Sequence, residues 1–151
     1  MHAQKQGMLG AVWLTGLVAF SGCSLDSSSP GGSDKQTRVI MNVLSVFYGE
    51  FVDDHQGKPP QDSDEFRMYL ESRQDALKRY NVENPDQILV SPRDGLPLVI
   101  VCGKRIEPED TPGLPWAAYE QRGVAGMRMA VSVRGGAREL SEEEIARVFL
   151  K

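Results

Sequence analysis

The stretch that most limits what this chain can fold into lies at its start. Residues 8–20 form a thirteen-residue apolar run, Ser21 and Gly22 follow, and then comes Cys23. A helix needs roughly 20 apolar residues to cross the hydrocarbon layer of a bilayer, so this run is too short for a permanent span. The short polar start that carries Lys5 completes the three-part layout of a secretory signal. Residues 24–34 then hold five Ser, two Gly and one Pro. Such a segment buries too little apolar surface to offset its ordering entropy, and as a tether it has a root-mean-square reach on the order of 18 Å. A hydrophobic core is left to residues 35–151, enough for one domain.

Composition bounds what that domain can do. The chain carries 17 Lys and Arg against 21 Asp and Glu, a net charge of −4, which supplies no basic field for wrapping nucleic acid. Cleavage after residue 22 removes Lys5 and His2, so the charge becomes −5, His55 is the only histidine and Cys102 the only thiol besides Cys23. Two cysteines cannot build a disulfide-dense scaffold or a four-cysteine zinc site. The phosphate-loop, dinucleotide, zinc-protease, Cys-x-x-Cys and Gly-x-Ser-x-Gly patterns are all missing from the sequence, and no cofactor is expected.

The small-small-Cys ending resembles the lipobox of bacterial lipoproteins, with Phe20 where that pattern usually has Leu. The resemblance implies that Cys23 is lipidated, becomes the mature first residue and holds the protein at a membrane of the bacterial cell envelope. One acyl chain binds only marginally, whereas two or more anchor stably. Ser24 after the cysteine, in place of the Asp of inner-membrane retention, leans the expected address towards the outer membrane. The bland alternatives are an ordinary cleaved signal beside an incidental cysteine, or an uncleaved anchor.

In the remaining chain, Ser33 and Gln36 have capping-box spacing. Ile40, Val43, Leu44, Phe47 and Phe51 then form an apolar helical face that Val39, Val46 and Val52 broaden. Gly57 and Pro59-Pro60 stop this helix. Asp62 with Glu65 starts a second one through Phe66, Tyr69, Leu70 and Leu77, with a break expected within residues 72–75. Asn84-Pro85 and the Ser91-Pro92-Arg93-Asp94-Gly95 motif are turns. Residues 98–102, 116–120 and 127–133 follow as strands, with an irregular loop over 103–115. Gly135-Gly136 suits a two-residue hairpin that returns through 137–140. Ser141 and Glu144 open a last helix with Ile145, Val148 and Phe149 on one side. This order predicts an α+β domain, a long and a short helix on an antiparallel sheet of about four strands, closed by a C-terminal helix.

That succession of long apolar helix, Gly-x-Pro-Pro loop, short helix, Ser-Pro-Arg-Asp-Gly and small sheet resembles the globular part of bacterial type II secretion pseudopilins and other pilin-like proteins. The close, with Arg138-Glu-Leu-Ser-Glu-Glu-Glu144 after a strand and tight turn, is similar to theirs. The likeness covers residues 39–151 and implies a structural or interaction role linked to secretion or pilus-like machinery. Two features depart from it: a lipoprotein signal replaces the prepilin segment, and Gly135-Gly136 replaces an Asp-Gly turn.

Few residues carry chemistry. Asp53-Asp54-His55 suggests a metal, but adjacent helical residues point about 100° apart, and a solvated helix end explains them. Asp62, Asp64 and Glu65 lack the Gly and later Glu of a calcium loop, and the helix dipole accounts for them. Glu107, Glu109 and Asp110 in the Pro-rich loop are weak candidates for calcium, the basis of an alternative reading as an envelope ligand- or calcium-binding module. Ser91 or paired carboxylates would have to serve a small hydrolase, the remaining alternative. A nucleophilic serine needs a base within hydrogen-bond reach, and the lone His55 sits on a distant helix end. The turn reading has Ser91 and Asp94 capping, Gly95 supplying positive φ and Arg93 pairing with a carboxylate. Cys102, ending an apolar strand, is expected to be a buried and inert thiol, with an intermolecular disulfide as the alternative. Trp116 and Tyr119 are three apart in a strand, which sets them on opposite sheet faces. The expected protein is therefore a lipid-anchored, non-catalytic envelope module with protein partners.

Overall fold

The computed structural model describes residues 30–110 and 112–150. The signal, Cys23 and residues 24–29 of the expected tether lie outside the described residues. The fold is α+β, as expected: a long N-terminal helix, short helices, a four-stranded antiparallel sheet and a C-terminal helix.

Helix α1 spans Pro30–Asp54 and so begins inside the segment expected as tether. Proline suits a first helical turn, where its missing N–H had no intrahelical partner to lose. Ser33, expected as an N-cap, is therefore within the helix, and Asp34 Oδ1 lies 3.4 Å from Arg93 Nε. The buried arc of α1 runs through Thr37, Met41, Leu44, Phe47, Tyr48, Phe51 and Val52. It is rotated from the expected stripe: Ile40 and Val43 are half-buried and Val39 is 55% exposed. Main-chain turns at Gln56 (φ 59°) and Gly57 (φ 84°) end the helix before Pro59.

Helix α2, Ser63–Ser72, starts where Asp62 Oδ1 accepts the Glu65 N–H at 2.8 Å. Glu65 in turn accepts the Gln61 N–H at 2.6 Å. The expected break falls at Arg73, and α3 covers Gln74–Arg79. Phe66, Leu70 and Leu77 turn into the core, and Asp86–Leu89 forms a single-turn helix α4 that buries Ile88 and Leu89.

The strands are β1 (Leu98–Ile100), β2 (Trp116–Glu120), β3 (Met127–Ser132) and β4 (Arg138–Ser141), in the spatial order β1-β2-β3-β4. One sheet face, with Leu98, Ile100, Ala117, Ala118, Met129 and Val131, packs with α1 and α2. The other, with Val101, Trp116, Tyr119, Ala130 and Leu140, packs under α5, Glu142–Phe149, through Ile145. The Ser141–Glu144 capping box of α5 has both of its hydrogen bonds.

Two strand expectations are corrected. The β2–β3 register slips between Trp116 and Ala118, so both alanines face α1 and simple alternation fails. This bulge brings Trp116 and Tyr119 to the same face, where both meet Phe149, at 5.6 and 4.2 Å between ring centroids. The β3–β4 connection is also wider than a two-residue hairpin, because the ladder stops at Ala130↔Arg138. Arg134, not a glycine, takes the left-handed conformation there, at φ 56°. At Gly135 a Cβ would lie 2.2 Å from Ser132 Oγ, so a side chain there would make the Ser132 hydroxyl rotate away. No helix among the described residues is long and apolar enough to cross a membrane.

Candidate functional site: a buried Ser-Arg-Glu clamp

Ser91-Pro92-Arg93-Asp94-Gly95 is the motif with the densest polar contacts, and local chemistry shapes it first. The Ser91 hydroxyl accepts the Arg93 N–H at 3.2 Å, and Asp94 Oδ1 accepts the Leu96 N–H at 3.0 Å. Gly95, at φ +70°, donates its N–H to the Ser91 carbonyl at 2.8 Å. The capping and turn roles expected of these residues are present.

Tertiary packing then turns the motif inward. The Ser91 hydroxyl donates to Glu120 Oε1 at 2.7 Å, and Glu120 Oε2 accepts the Met129 N–H at 2.7 Å. Ser91 and Glu120 have no exposure to solvent. The Arg93 guanidinium, its side chain 5% exposed, lies with Nε 4.0 Å from Glu120 Oε2 and with Nη1 donating to Glu139 Oε1 at 2.6 Å. Its other amino group reaches the carbonyls of Val124 and Met127, both at 3.4 Å. Asp94 Oδ2 accepts the N–H groups of Gly123 and Arg122, at 2.8 and 3.3 Å. One five-residue turn thus ties together the start of α1 (through Asp34), the end of β2, the β2–β3 loop and β4.

Glu120 and Glu139 were not legible as Arg93 partners. The available signal for Glu120 was a carboxylate closing an otherwise apolar strand, Trp116-Ala-Ala-Tyr-Glu120. Buried charges persist where they are paired and hydrogen-bonded, and this one is. A serine with its proton committed to a carboxylate, both sealed from solvent, holds a fold together and offers no face to a substrate.

The other candidates diverge in space. Asp53 pairs with Arg134, Asp54 takes Arg73 and the Tyr69 hydroxyl, and His55 stacks on Phe51 at 3.9 Å while its Nδ1 meets the Phe51 carbonyl at 2.7 Å. Glu107 is held by the Gly113 N–H at 3.1 Å and by Arg105 at 2.8 Å, and these contacts keep its carboxyl below the ordinary range. Asp110 pairs instead with Arg138, which itself lies over the Trp116 ring. The three loop acids Glu107, Glu109 and Asp110 are not brought together. Among the described residues, no group of three or more His, Cys, Asp or Glu is placed to hold a metal ion.

Cys102, expected to be buried at the end of a strand, instead lies two residues past β1 and is half-buried beside the α1 core. Burial pushes its thiol up to about 11, with the Asp62 and Glu65 carboxylates adding to the shift. The neutral thiol therefore prevails at neutral pH, and the nucleophilic thiolate is scarce. In the folded protein, alkylation of Cys102 by iodoacetamide is expected to accelerate through about pH 11. In urea the inflection should return to roughly 8.5, and a native inflection at that lower value would contradict this placement.

No family model matches this chain, and no curated protein and no solved structure matches it either.

Proposed function

We propose that this chain is a lipid-anchored protein of the bacterial cell envelope, tethered through Cys23. Its α+β domain, pilin-like in the order of its elements, serves as a structural or protein-interaction module and not as a catalyst. The observation that carries the reading is the sequence one: an apolar run too short to span, closed by Ser21-Gly22-Cys23 and joined to α1 by six residues. The geometry of the most distinctive motif supports the non-catalytic half, because the Ser91 hydroxyl is bonded to Glu120 and Arg93 to Glu139, with Ser91 and Glu120 sealed from solvent. Secretion or pilus-like machinery is the setting that the pilin resemblance suggests, with the outer membrane as address.

Growth with radiolabelled palmitate tests the anchor. Label is expected on the wild-type protein and is lost with Cys23→Ala. An unlabelled wild type, or label that survives the substitution, overturns the reading. Affinity capture of the lipidated protein with secretion components as neighbours is the outcome expected for the proposed setting.

A further inference from the structure

Six large apolar side chains are markedly exposed among the described residues, and three of them, Val39, Tyr80 and Val90, gather in one groove. The groove runs between the N-terminal half of α1 and the α3–α4 segment, with a volume of about 490 Å³. Its floor is hydrocarbon: Ile40, Val43, Val82 and Ile88. Asp86 is the single ionisable acid or base of the lining besides the Tyr80 phenol, and Arg67 neutralises it at 2.5 Å. The Gln87 side-chain carbonyl is occupied by the N–H groups of Glu83 and Asn84, at 2.8 and 3.4 Å. Such a lining offers little to a charged peptide and suits an uncharged apolar chain of the size small-molecule pockets accept.

Position names the occupant. The anchor cysteine is seven residues before Pro30, a stretch that spans at most on the order of 24 Å. Along α1 the groove begins at Gln36, about 9 Å from Pro30, and ends at Val43, about 20 Å from it. The groove thus lies within the linker's reach of Cys23. The other large cleft, of about 800 Å³, is lined by Glu50, Asp53, Asp54, Glu71, Asp75 and two arginines, which excludes hydrocarbon.

We propose that the groove seats an acyl chain carried by Cys23 when the protein is off the membrane. The inference rests on the lipidation proposed above. The chain would exchange between groove and bilayer, so that one acylated molecule has a shielded and an inserted state.

Cis-parinaric acid, a fluorescent fatty acid, reports whether the groove is open. The mature chain with Cys23→Ala should bind it, and the exposed-site variant Val39→Glu in that background should bind at least tenfold more weakly at an unchanged melting temperature. Acylated protein in buffer should bind it at least tenfold more weakly than the Cys23→Ala chain, and phosphatidylethanolamine–phosphatidylglycerol vesicles should restore binding by withdrawing the chain. Mass spectrometry of the N-terminus separates the two ideas. No acyl mass sinks the anchor, whereas an acylated protein that binds the probe as well as Cys23→Ala sinks the groove assignment alone. Equal binding by Val39→Glu, or a groove that stays closed to the probe on vesicles, also overturns it, the latter by pointing to direct contact with the bilayer.

Discussion

Replacing Glu120 with Ala is expected to lower stability by about 3–5 kcal/mol, because two buried donors lose their acceptor at about 1–3 kcal/mol each and a cavity is left beside them. Glu120 is fully buried and accepts from the Ser91 hydroxyl and the Met129 N–H, with Arg93 Nε 4.0 Å away and not hydrogen-bonded to it. Its loss leaves the Ser91 hydroxyl and the Met129 N–H without their acceptor, while Arg93, with its side chain 5% exposed, keeps Glu139 and Asp34. For a domain of this size the melting temperature should fall by on the order of 10–20 °C, read by calorimetry. Glu120→Gln keeps the shape and part of the hydrogen bonding, and a milder loss of about 1–2 kcal/mol is expected. The double variant Arg93→Met with Glu120→Leu should cost less than the two single changes together, because it removes both charges at once. A cost under about 1 kcal/mol for Glu120→Ala would mean that the clamp contributes little net stability.

Phe51→Ala should cost a similar amount, about 3–5 kcal/mol, through the cavity it leaves. Phe51 is 1% exposed and its ring touches three others: Phe66 at 6.0 Å, Tyr69 at 5.1 Å and His55 at 3.9 Å between centroids. It joins the C-terminal half of α1 to α2, so urea unfolding should show the loss at an unchanged slope. A second readout is local. Burial, with help from its bond to Asp54, pushes the Tyr69 phenol up to about 12. Wetting of the cavity should draw that value back towards the ordinary value of about 10, measured by ultraviolet titration. If Phe51→Ala left both stability and the Tyr69 titration unchanged, the aromatic cluster would not be what joins these helices.

Both sites show which parts of this molecule were legible before its structure. The Asp62–Glu65 and Ser141–Glu144 caps, the stop at Gly57 and the break at Arg73 all follow from interactions within a few residues. Sequence displays such spacing directly, and the same holds for the α+β order of elements. The Ser91–Gly95 turn was equally readable as a turn. Its inward use was not, because Ser91 and Glu120 are 29 residues apart and Arg93 and Glu139 are 46 apart.

The differences have the same origin. Helix α1 starts earlier than composition suggests, because residues 30–34 look like linker yet continue a helix whose next turns are packed. Which arc of α1 is buried depended on where β2, β3 and α2 press against it, so Met41 and Tyr48 joined the core while Val39 faced the groove. Trp116 and Tyr119 share a face because one extra residue in β2 breaks the two-residue period, and that residue is defined only against β3. By itself, then, the sequence determined the order of the elements and the caps of α2 and α5. Tertiary structure alone decided which charges are sealed inside and which apolar face stays open, since burial is a property of partners brought together from distant parts of the chain.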